Sequence, residues 1–343
     1  MKIQELREHI ANQDKAELEL IVVEMYKALP KKAIEEKEID QLIANPSEFV
    51  TTRKRVRTAT KDVVVDTDVL KIEIEQFISN AKAQNYFAPN RVISKKERPK
   101  WRFLVKRFVD QLIIAARQTE NQAEAARLLE DLYKLLCQAC GVYLFSTENP
   151  FRSVGISQVE FYGKVLRLKQ QVQPAETWIG EGISLLAEHD LDSETLPTYL
   201  MDVFQEFVHT PPLRQAAVGA CTVLLEKKET LYRKKAQAWA HTSTFSSSYG
   251  LQNQIQNLAK LLFRLHQSLF EEGQAIAAFT QHYVESNPEV KAYVLLQLLR
   301  QLNRKDAWMR EYENAVREQV KLRDELVRTH EFLLHNGEFP GTY

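Results

Sequence analysis

Two cysteines in a C-x-x-C arrangement, Cys137 and Cys140, form the most recognisable chemical pattern in the sequence. This spacing occurs in zinc half-sites and in redox dithiols. A structural zinc ion needs four ligands, and no second C-x-x-C or histidine pair with finger-like spacing follows; only Cys221 remains. A redox dithiol favours a helix N-terminus, whereas this pair lies near the end of a predicted helix that Gly141 closes. The pattern therefore predicts cysteines of the core.

The motifs of nucleotide-dependent and metal-dependent enzymes are missing. The sequence has no P-loop, no G-x-G-x-x-G and no G-x-S-x-G elbow, and its ten glycines begin only at Gly141. His330-Glu331 begins like the zinc motif H-E-x-x-H, but the second histidine is His335. On a helix the two rings would then point about 140° apart, too far to share one metal. We therefore predict no cofactor and no metal.

Polar side chains interrupt the apolar face of the last predicted helix. On one continuous helix, Gln319, Arg323 and His330 fall in the middle of the apolar stripe that runs from Tyr312 to Leu334. The positions three and four residues away from Arg323 and His330 carry no acid. Because a lone buried charge is costly, we expect partners from another helix or a position that faces a cleft.

The spacing of Arg323 and His330 resembles the R-x₄₋₆-H motif of HEPN ribonucleases, which are small α-helical bundles. The resemblance implies that His330 acts as general acid and base on a ribose 2′-hydroxyl, while Arg323 stabilises the charge of the phosphorane. Those enzymes usually form their site at a dimer interface. In the structural alternative, Arg323 lays its methylene stem on the apolar face and His330 bonds a polar group on a neighbouring helix.

Basic residues are concentrated in two stretches of the sequence. Residues 53–61 carry five cations and no acid, and residues 91–107 carry eight cations against Glu97 alone. Cations at this density can neutralise phosphates, and the interleaved Trp101 and Phe103 could stack on bases. The side chains predicted to bind a partner are Arg53, Lys54, Arg55, Arg57, Lys95, Lys96, Arg98 and Lys100.

The same charges have a second interpretation. Residues 1–48 carry eleven acidic against seven basic groups, so the basic stretches could pack on them as an electrostatic clasp or remain solvated. The whole chain is balanced, with 46 Lys and Arg against 46 Asp and Glu, unlike a dedicated nucleic-acid-binding domain. Trp101 also belongs to an apolar stripe, which favours a place in the core. If the basic surface is free, an acidic protein or a nucleic acid is the expected partner.

The elements that must position these residues are helices. Apolar residues recur at intervals of three and four over most of the chain, as they do at Trp101, Leu104, Val105, Phe108 and Leu112. Prolines mark the breaks between such runs, and strand-like runs are confined to residues 63–65 and 142–145. The sequence predicts an all-α fold, a multi-helix array or bundle of about a dozen helices, with a solenoid-like stack as one form of it.

Shifts in charge and polarity divide the chain into four predicted segments. Residues 1–49 form an acidic helical hairpin, and residues 50–98 form a basic connecting segment with one helix. Residues 99–240 form a central helical domain. After a hydroxyl-rich stretch, residues 251–343 form a hairpin of two long helices that meet just before Pro288.

Apolar spacing and a Glu-Leu pair in the opening hairpin carry a resemblance to a family. The residues are Leu6, Ile10, Glu17-Leu18, Ile21-Val22 and Met25-Tyr26. Their pattern resembles the first helical hairpin of an uncharacterised bacterial all-helical family. The resemblance implies a bacterial source and brings no known activity.

Compartment and function follow from these patterns as expectations. The N-terminus opens into a charged amphipathic segment without an apolar leader, and the apolar stretch 216–225 is too short for a bilayer. We expect a cytoplasmic, non-enzymatic scaffold protein that binds its partner through the basic segment. We expect it to bind no membrane and to act either as a homo-oligomer or as a subunit of a larger assembly. The alternative function is a metal-independent ribonuclease that uses Arg323 and His330.

Overall fold

Helices and their connecting loops make up the whole described structure. The computed structural model describes residues 9–11, 13–30, 34, 39–46, 65–87, 90, 92–239 and 246–341. None of these residues lies in a strand, and the prediction of an all-α multi-helix array is confirmed. Among them, no helix combines the length and apolarity that crossing a bilayer requires. The chain divides into two compact units, Met1–Val64 and Val65–Tyr343.

The first unit contains two described helices, α1 (Lys15–Ala28) and α2 (Ile39–Ala44). A capping box starts α1, because the Asp14 carboxylate accepts from the Glu17 N–H and the Glu17 side chain accepts from the Asp14 N–H. The Tyr26 hydroxyl donates to Asp40 at 2.7 Å and so links the two helices. No residue of α1 is buried, and Leu20 is 64% exposed.

The second unit contains the remaining described helices. They are α3 (Thr67–Lys82), α4 (Trp101–Ala115), α5 (Gln122–Gly141), α6 (Pro150–Val154), α7 (Gln158–Val172), α8 (Ala175–Ala187), α9 (Pro197–Phe207), α10 (Pro211–Trp239), α11 (Ser246–Ser268), α12 (Glu272–His282), α13 (Pro288–Gln301), α14 (Lys305–Arg317) and α15 (Asp324–Asn336). Short 3₁₀ turns at Arg98–Lys100 and Thr119–Asn121 lead into α4 and α5. The predicted helix of the 50–98 segment is therefore α3.

An aromatic cluster joins α3 and α4 to the loop after α5. Trp101 stacks on Phe145 with ring centroids 3.9 Å apart, and Phe77 lies on the other side of Phe145 at 6.2 Å. Trp101 and Phe145 are both buried, so the predicted core position of Trp101 is confirmed. The aromatic segment 142–152, which departs from the helical period, thus packs as an inter-helix loop that ends in α6.

The predicted hairpin of two long C-terminal helices is wrong. The region after residue 245 folds into five shorter helices, α11 to α15. Three of the helices in this region end at a non-glycine residue with positive φ, namely Phe270, Asn303 and Gln319. At each end, the next N–H bonds a carbonyl five residues back, as Arg304 does to Leu299 at 2.9 Å. These Schellman-type ends break a pattern of apolar residues that continues across the turns.

Candidate anion-binding site

The residues predicted to bind a partner fall partly inside the described structure. Arg53, Lys54, Arg55 and Arg57 lie outside the described residues. Lys95, Lys96, Arg98 and Lys100 lie in the loop and 3₁₀ turn that precede α4.

Arg98 holds this loop in shape. Its Nε donates to the Ile93 carbonyl at 2.9 Å, and its Nη2 donates to the Asn90 carbonyl at 2.6 Å. Asn90 in turn accepts from the N–H groups of Val92 and Ile93 through its side-chain oxygen. The guanidinium is therefore fixed and half-buried, and its Nη1 makes no hydrogen bond to a described residue.

Two of the neighbouring cations are neutralised by acids. Lys100 pairs with Glu97 at 2.7 Å, and Arg107 pairs with Glu73 of α3 at 2.6 Å. Four others are exposed and form no ion pair with any residue that the structure describes, and we call them the basic surface: Lys95, Lys96, Arg102 and Lys106. The basic segment thus separates into cations that hold the fold and cations that face solvent.

The two aromatic residues at the start of α4 have different environments. Trp101 is buried and stacks on Phe145 within the core, and it forms part of the wall of a cavity beside the start of α4. Phe103 is 61% exposed, and the guanidinium carbon of Arg102 lies 4.9 Å from the centre of its ring. Phe103 is therefore the ring that could stack on a base, with a cation already beside it.

A cavity of about 250 Å³ lies beside the start of α4, and we call it the basic pocket. Its polar walls are formed by Arg98, Arg102, Tyr86, Ser146, Thr147 and Ser153. Among the described residues, no carboxylate lines the cavity, so the fixed charge that these residues give it is positive. Such an arrangement suits an anion with several oxygen acceptors. Sequence reasoning missed this pocket because its walls come from three separate segments.

The hydroxyl groups of the basic pocket divide into two kinds. The Ser153 hydroxyl donates to the Asn149 carbonyl at 3.0 Å and lies 3.1 Å from the Thr147 hydroxyl. Thr147 also accepts from the Asn149 N–H, so these two hydroxyls are already paired. Within the described chain, the hydroxyls of Ser146 and Tyr86 make no hydrogen bond. Burial raises the pKa of Tyr86, which keeps its phenol protonated and able to donate.

The two residues of the predicted ribonuclease motif, Arg323 and His330, contact different residues. Arg323 lies just before α15, where its side chain pairs with Glu289 of α13 and its guanidinium carbon lies 4.0 Å from the centre of the Tyr293 ring. The His330 ring stacks on Tyr312 of α14 at 4.2 Å. The continuous apolar face assumed for this region is wrong, because the chain leaves the helix between Arg317 and Asp324. For Arg323, the expected partner on another helix is found.

A cavity of about 720 Å³ lies between α3, α5 and the segment that follows α8, and we call it the charged cleft. The charged and titratable residues that line it are Glu75, Lys82, Asp131, Lys134, Glu188, His189 and Asp190. Burial raises the pKa of Asp131 despite the nearby Arg127 and Lys134, and burial together with Lys134 lowers the pKa of His189. Charges of both signs therefore share this cleft.

Ion pairs join most of these charges. Arg127 contacts Glu75 at 2.9 Å and both Glu124 and Asp131 at 2.8 Å. The hydrogen bond from Arg127 is the main reason that the pKa of Glu124 falls to about 2. Glu188 pairs with Lys228 of α10 at 2.5 Å. Glu75, Asp131 and Glu188 of the cleft are therefore already paired with cations that lie beside it.

A nearly buried lysine lies close to the charged cleft. The side chain of Lys169, 3% exposed, pairs with both Glu130 and Glu181. Glu130 also pairs at 2.5 Å with Lys134, which lines the cleft. Burial alone would raise the pKa of Glu130, but the hydrogen bonds from Lys134 and Lys169 outweigh it and lower the pKa. This network stabilises α5, α7 and α8 together.

The cysteines have the character of core residues. Cys137 and Cys221 are buried, and Cys140 is half-buried. Burial raises the pKa of Cys137, and it raises the pKa of Cys140 and of Cys221 to about 12. The described residues include no group of three or more His, Cys, Asp or Glu side chains placed to hold a metal.

The described residues form an all-α fold with a positively charged cavity. Comparisons of the chain with protein-family models, curated proteins and solved structures find no match. The chemistry of the pocket and of its surroundings is therefore the guide to function.

Proposed function

We propose that this chain is a non-enzymatic α-helical interaction protein that binds an acidic partner through the basic surface. The observation that carries the proposal is that Lys95, Lys96, Arg102 and Lys106 lie close together along the chain, are exposed and form no ion pair with a described residue. Other lysines of the second unit, such as Lys169 and Lys228, pair with acids. Four unpaired cations on one loop and helix start favour an external polyanion.

The rigid support of this surface also favours binding. Arg98 fixes the loop that carries Lys95 and Lys96, and α4 carries Arg102 and Lys106 one helical turn apart. Cations that are already positioned lose less conformational freedom when a partner binds.

The proposal is tested by measuring binding of a polyanion at several salt concentrations. The variant Lys95→Ala/Lys96→Ala/Lys106→Ala removes three exposed charges, and we use single-stranded RNA and a polyglutamate peptide as probes. For RNA, each lost phosphate contact lowers the slope of log affinity against log salt by about 0.7, so we expect a loss of about 2. The matched control is Lys227→Ala/Lys321→Ala, two exposed lysines on other segments. Equal binding by the variant, the control and the wild type would contradict the proposal.

A ribonuclease that uses Arg323 and His330 stays a prediction. The pairing of Arg323 with Glu289 argues against it, because that carboxylate neutralises the charge needed for a phosphorane. Incubation with single-stranded RNA in EDTA separates the two functions. We expect no cleavage, whereas cleavage that His330→Ala abolishes in a folded variant would favour the enzyme.

A further inference from the structure

We propose that the basic pocket takes a phosphate group of a single-stranded nucleic acid, and that Phe103 stacks on the adjacent base. This inference rests on the proposed function, since it names the partner of the basic surface. It goes further because it separates a specific subsite from the general attraction of the lysines.

The donors in the basic pocket match a phosphate. Arg98, Arg102, Tyr86 and Ser146 line the cavity. The Nη1 group of Arg98, the guanidinium of Arg102 and the hydroxyls of Tyr86 and Ser146 have no hydrogen-bond acceptor among the described residues. A phosphate offers several oxygens in a tetrahedral arrangement, so it can accept from donors on different walls. A carboxylate has two oxygens in one plane and would leave some of these donors unused.

Tyr86 shows that the cavity is built for a polar group. Only 7% of this residue is exposed, and it packs in the aromatic cluster against Phe77 and Phe145. Its hydroxyl is not among the buried polar atoms that lack a hydrogen-bond partner in the described structure, so solvent reaches it and it can donate to a ligand in the cavity. An apolar ligand would displace that solvent without replacing its hydrogen bond, whereas a phosphate oxygen would replace it.

The size of the basic pocket limits how much of the ligand enters. Its volume of about 250 Å³ is below the ~300–1,000 Å³ of sites that enclose a whole small molecule. The phosphate is therefore the part that enters, and the rest of the partner stays outside. What lies outside decides which partner fits.

Arg102 connects the basic pocket to Phe103. Arg102 lines the cavity, and its guanidinium carbon lies 4.9 Å from the centre of the exposed Phe103 ring. A phosphate in the pocket therefore places its own nucleotide within reach of that ring. An aromatic platform beside a phosphate contact is typical of proteins that bind single strands. A phosphopeptide would use the pocket but has no base for Phe103, so the geometry favours the nucleic acid.

The test titrates the full-length chain into a labelled single-stranded oligothymidylate of about ten nucleotides, within the usual site size. Arg102→Lys keeps the charge but loses the planar fork, and Phe103→Leu keeps an apolar side chain but loses the ring. We expect each variant to bind about tenfold more weakly, with the salt dependence of Arg102→Lys unchanged. Ser146→Ala should weaken binding a few-fold, and Lys321→Arg, at an exposed lysine outside the basic surface, is the control that should match the wild type.

The outcomes separate the subsite from the proposed function. If Arg102→Lys and Phe103→Leu bind like the wild type while the triple lysine variant binds more weakly, the pocket proposal is overturned and the proposed function stands. If a phosphoserine peptide binds more tightly than the oligonucleotide and Arg102→Lys abolishes that binding, the nucleic acid is the wrong partner. If neither RNA, oligothymidylate nor polyglutamate binds, both proposals fail.

Discussion

The charged cleft is lined by charged side chains of both signs, whereas the charged side chains that line the basic pocket are two arginines. In the cleft, Arg127 meets three carboxylates and Glu188 meets Lys228. In the pocket, the guanidiniums of Arg98 and Arg102 meet no carboxylate among the described residues. Charged side chains that form ion pairs with each other hold helices together. Charged side chains without such a partner are available to bind a ligand of the opposite charge.

Size and charge therefore give different answers about where a ligand binds. The charged cleft, at about 720 Å³, is larger than the basic pocket at about 250 Å³. A ligand in the cleft must compete with ion pairs that already exist, and one in the pocket meets donors that are unused. For this reason we place binding in the smaller cavity and stability in the larger one.

The largest effect on stability should come from the ion-pair network of Lys169, Glu130 and Glu181 beside the charged cleft. Lys169→Ala leaves Glu130 and Glu181 without their shared cation, and Glu130 is largely buried. Removing one partner of a buried pair is strongly destabilising, so we expect a loss of about 3 kcal/mol in the free energy of unfolding. Urea unfolding followed by circular dichroism measures it.

The control for this prediction lies on the same helix. Lys164 of α7 pairs with Glu160 at 3.0 Å, and its side chain is 29% exposed. Lys164→Ala should cost no more than about 0.5 kcal/mol, as exposed pairs four residues apart do. If the two variants lose equal stability, burial is not what distinguishes the network.

The next prediction compares the stability and the oligonucleotide binding of two variants, Arg127→Ala and Arg102→Ala. Arg127→Ala removes contacts to three carboxylates and should lower the free energy of unfolding by about 1 kcal/mol, since the site is partly exposed. Arg102→Ala should leave it unchanged within about 0.5 kcal/mol but weaken oligonucleotide binding. The reverse pattern, a destabilised Arg102→Ala or an Arg127→Ala with lost binding, would contradict the comparison.

Lowering the pH should reduce the difference in the free energy of unfolding between Arg127→Ala and the wild type. The folded pKa of Glu124 is about 2, against an ordinary value of 4.5, so the unfolded state takes up its proton first as the pH falls. The stability that depends on Glu124 is therefore present above about pH 4.5 and is lost as the pH falls toward about 2. In Arg127→Ala the main cause of this shift is gone.

The measurement is urea unfolding of three proteins between pH 7 and pH 3. The stability gap between the wild type and Arg127→Ala should narrow below about pH 4.5, where unshifted glutamates protonate. The gap between the wild type and Arg102→Ala should stay constant, because no carboxylate lines the basic pocket. A gap that widens on acidification would mean that Glu124 is not held by Arg127.

The sequence is a good guide to the helices and a poor guide to their ends. The apolar spacing predicts α4 and the core position of Trp101, because burial of one face decides both. The C-terminal helices end at Phe270, Asn303 and Gln319, where the usual glycine signal is absent. Apolar periodicity passes through these turns, so it predicts two helices where five form.

The basic pocket could be predicted only in part. The density of cations around Arg98 and Arg102 is visible in the sequence, and so is the loop that begins at Val142. What the sequence does not contain is the stacking of Phe145 on Trp101, which brings Ser146 to the start of α4. A cavity formed by a loop, a helix start and Tyr86 depends on tertiary contacts that periodicity cannot predict.

The smallest predicted effect is on the melting temperature, and it should have opposite signs for a lysine beside the charged cleft and a lysine of the basic surface. Lys71 pairs with Glu124 at 3.1 Å next to the charged cleft, whereas Lys96 lies beside Lys95 and forms no ion pair with a described residue, because Glu97 pairs with Lys100. Lys71→Ala should lower the melting temperature by about 1 °C, and Lys96→Ala should raise it by a similar amount because like-charge repulsion is relieved. Both shifts should vanish at roughly 0.5 M salt, where surface charges are screened. Calorimetry at low and high salt measures the pair, and shifts of the same sign would mean that electrostatics does not separate the two regions.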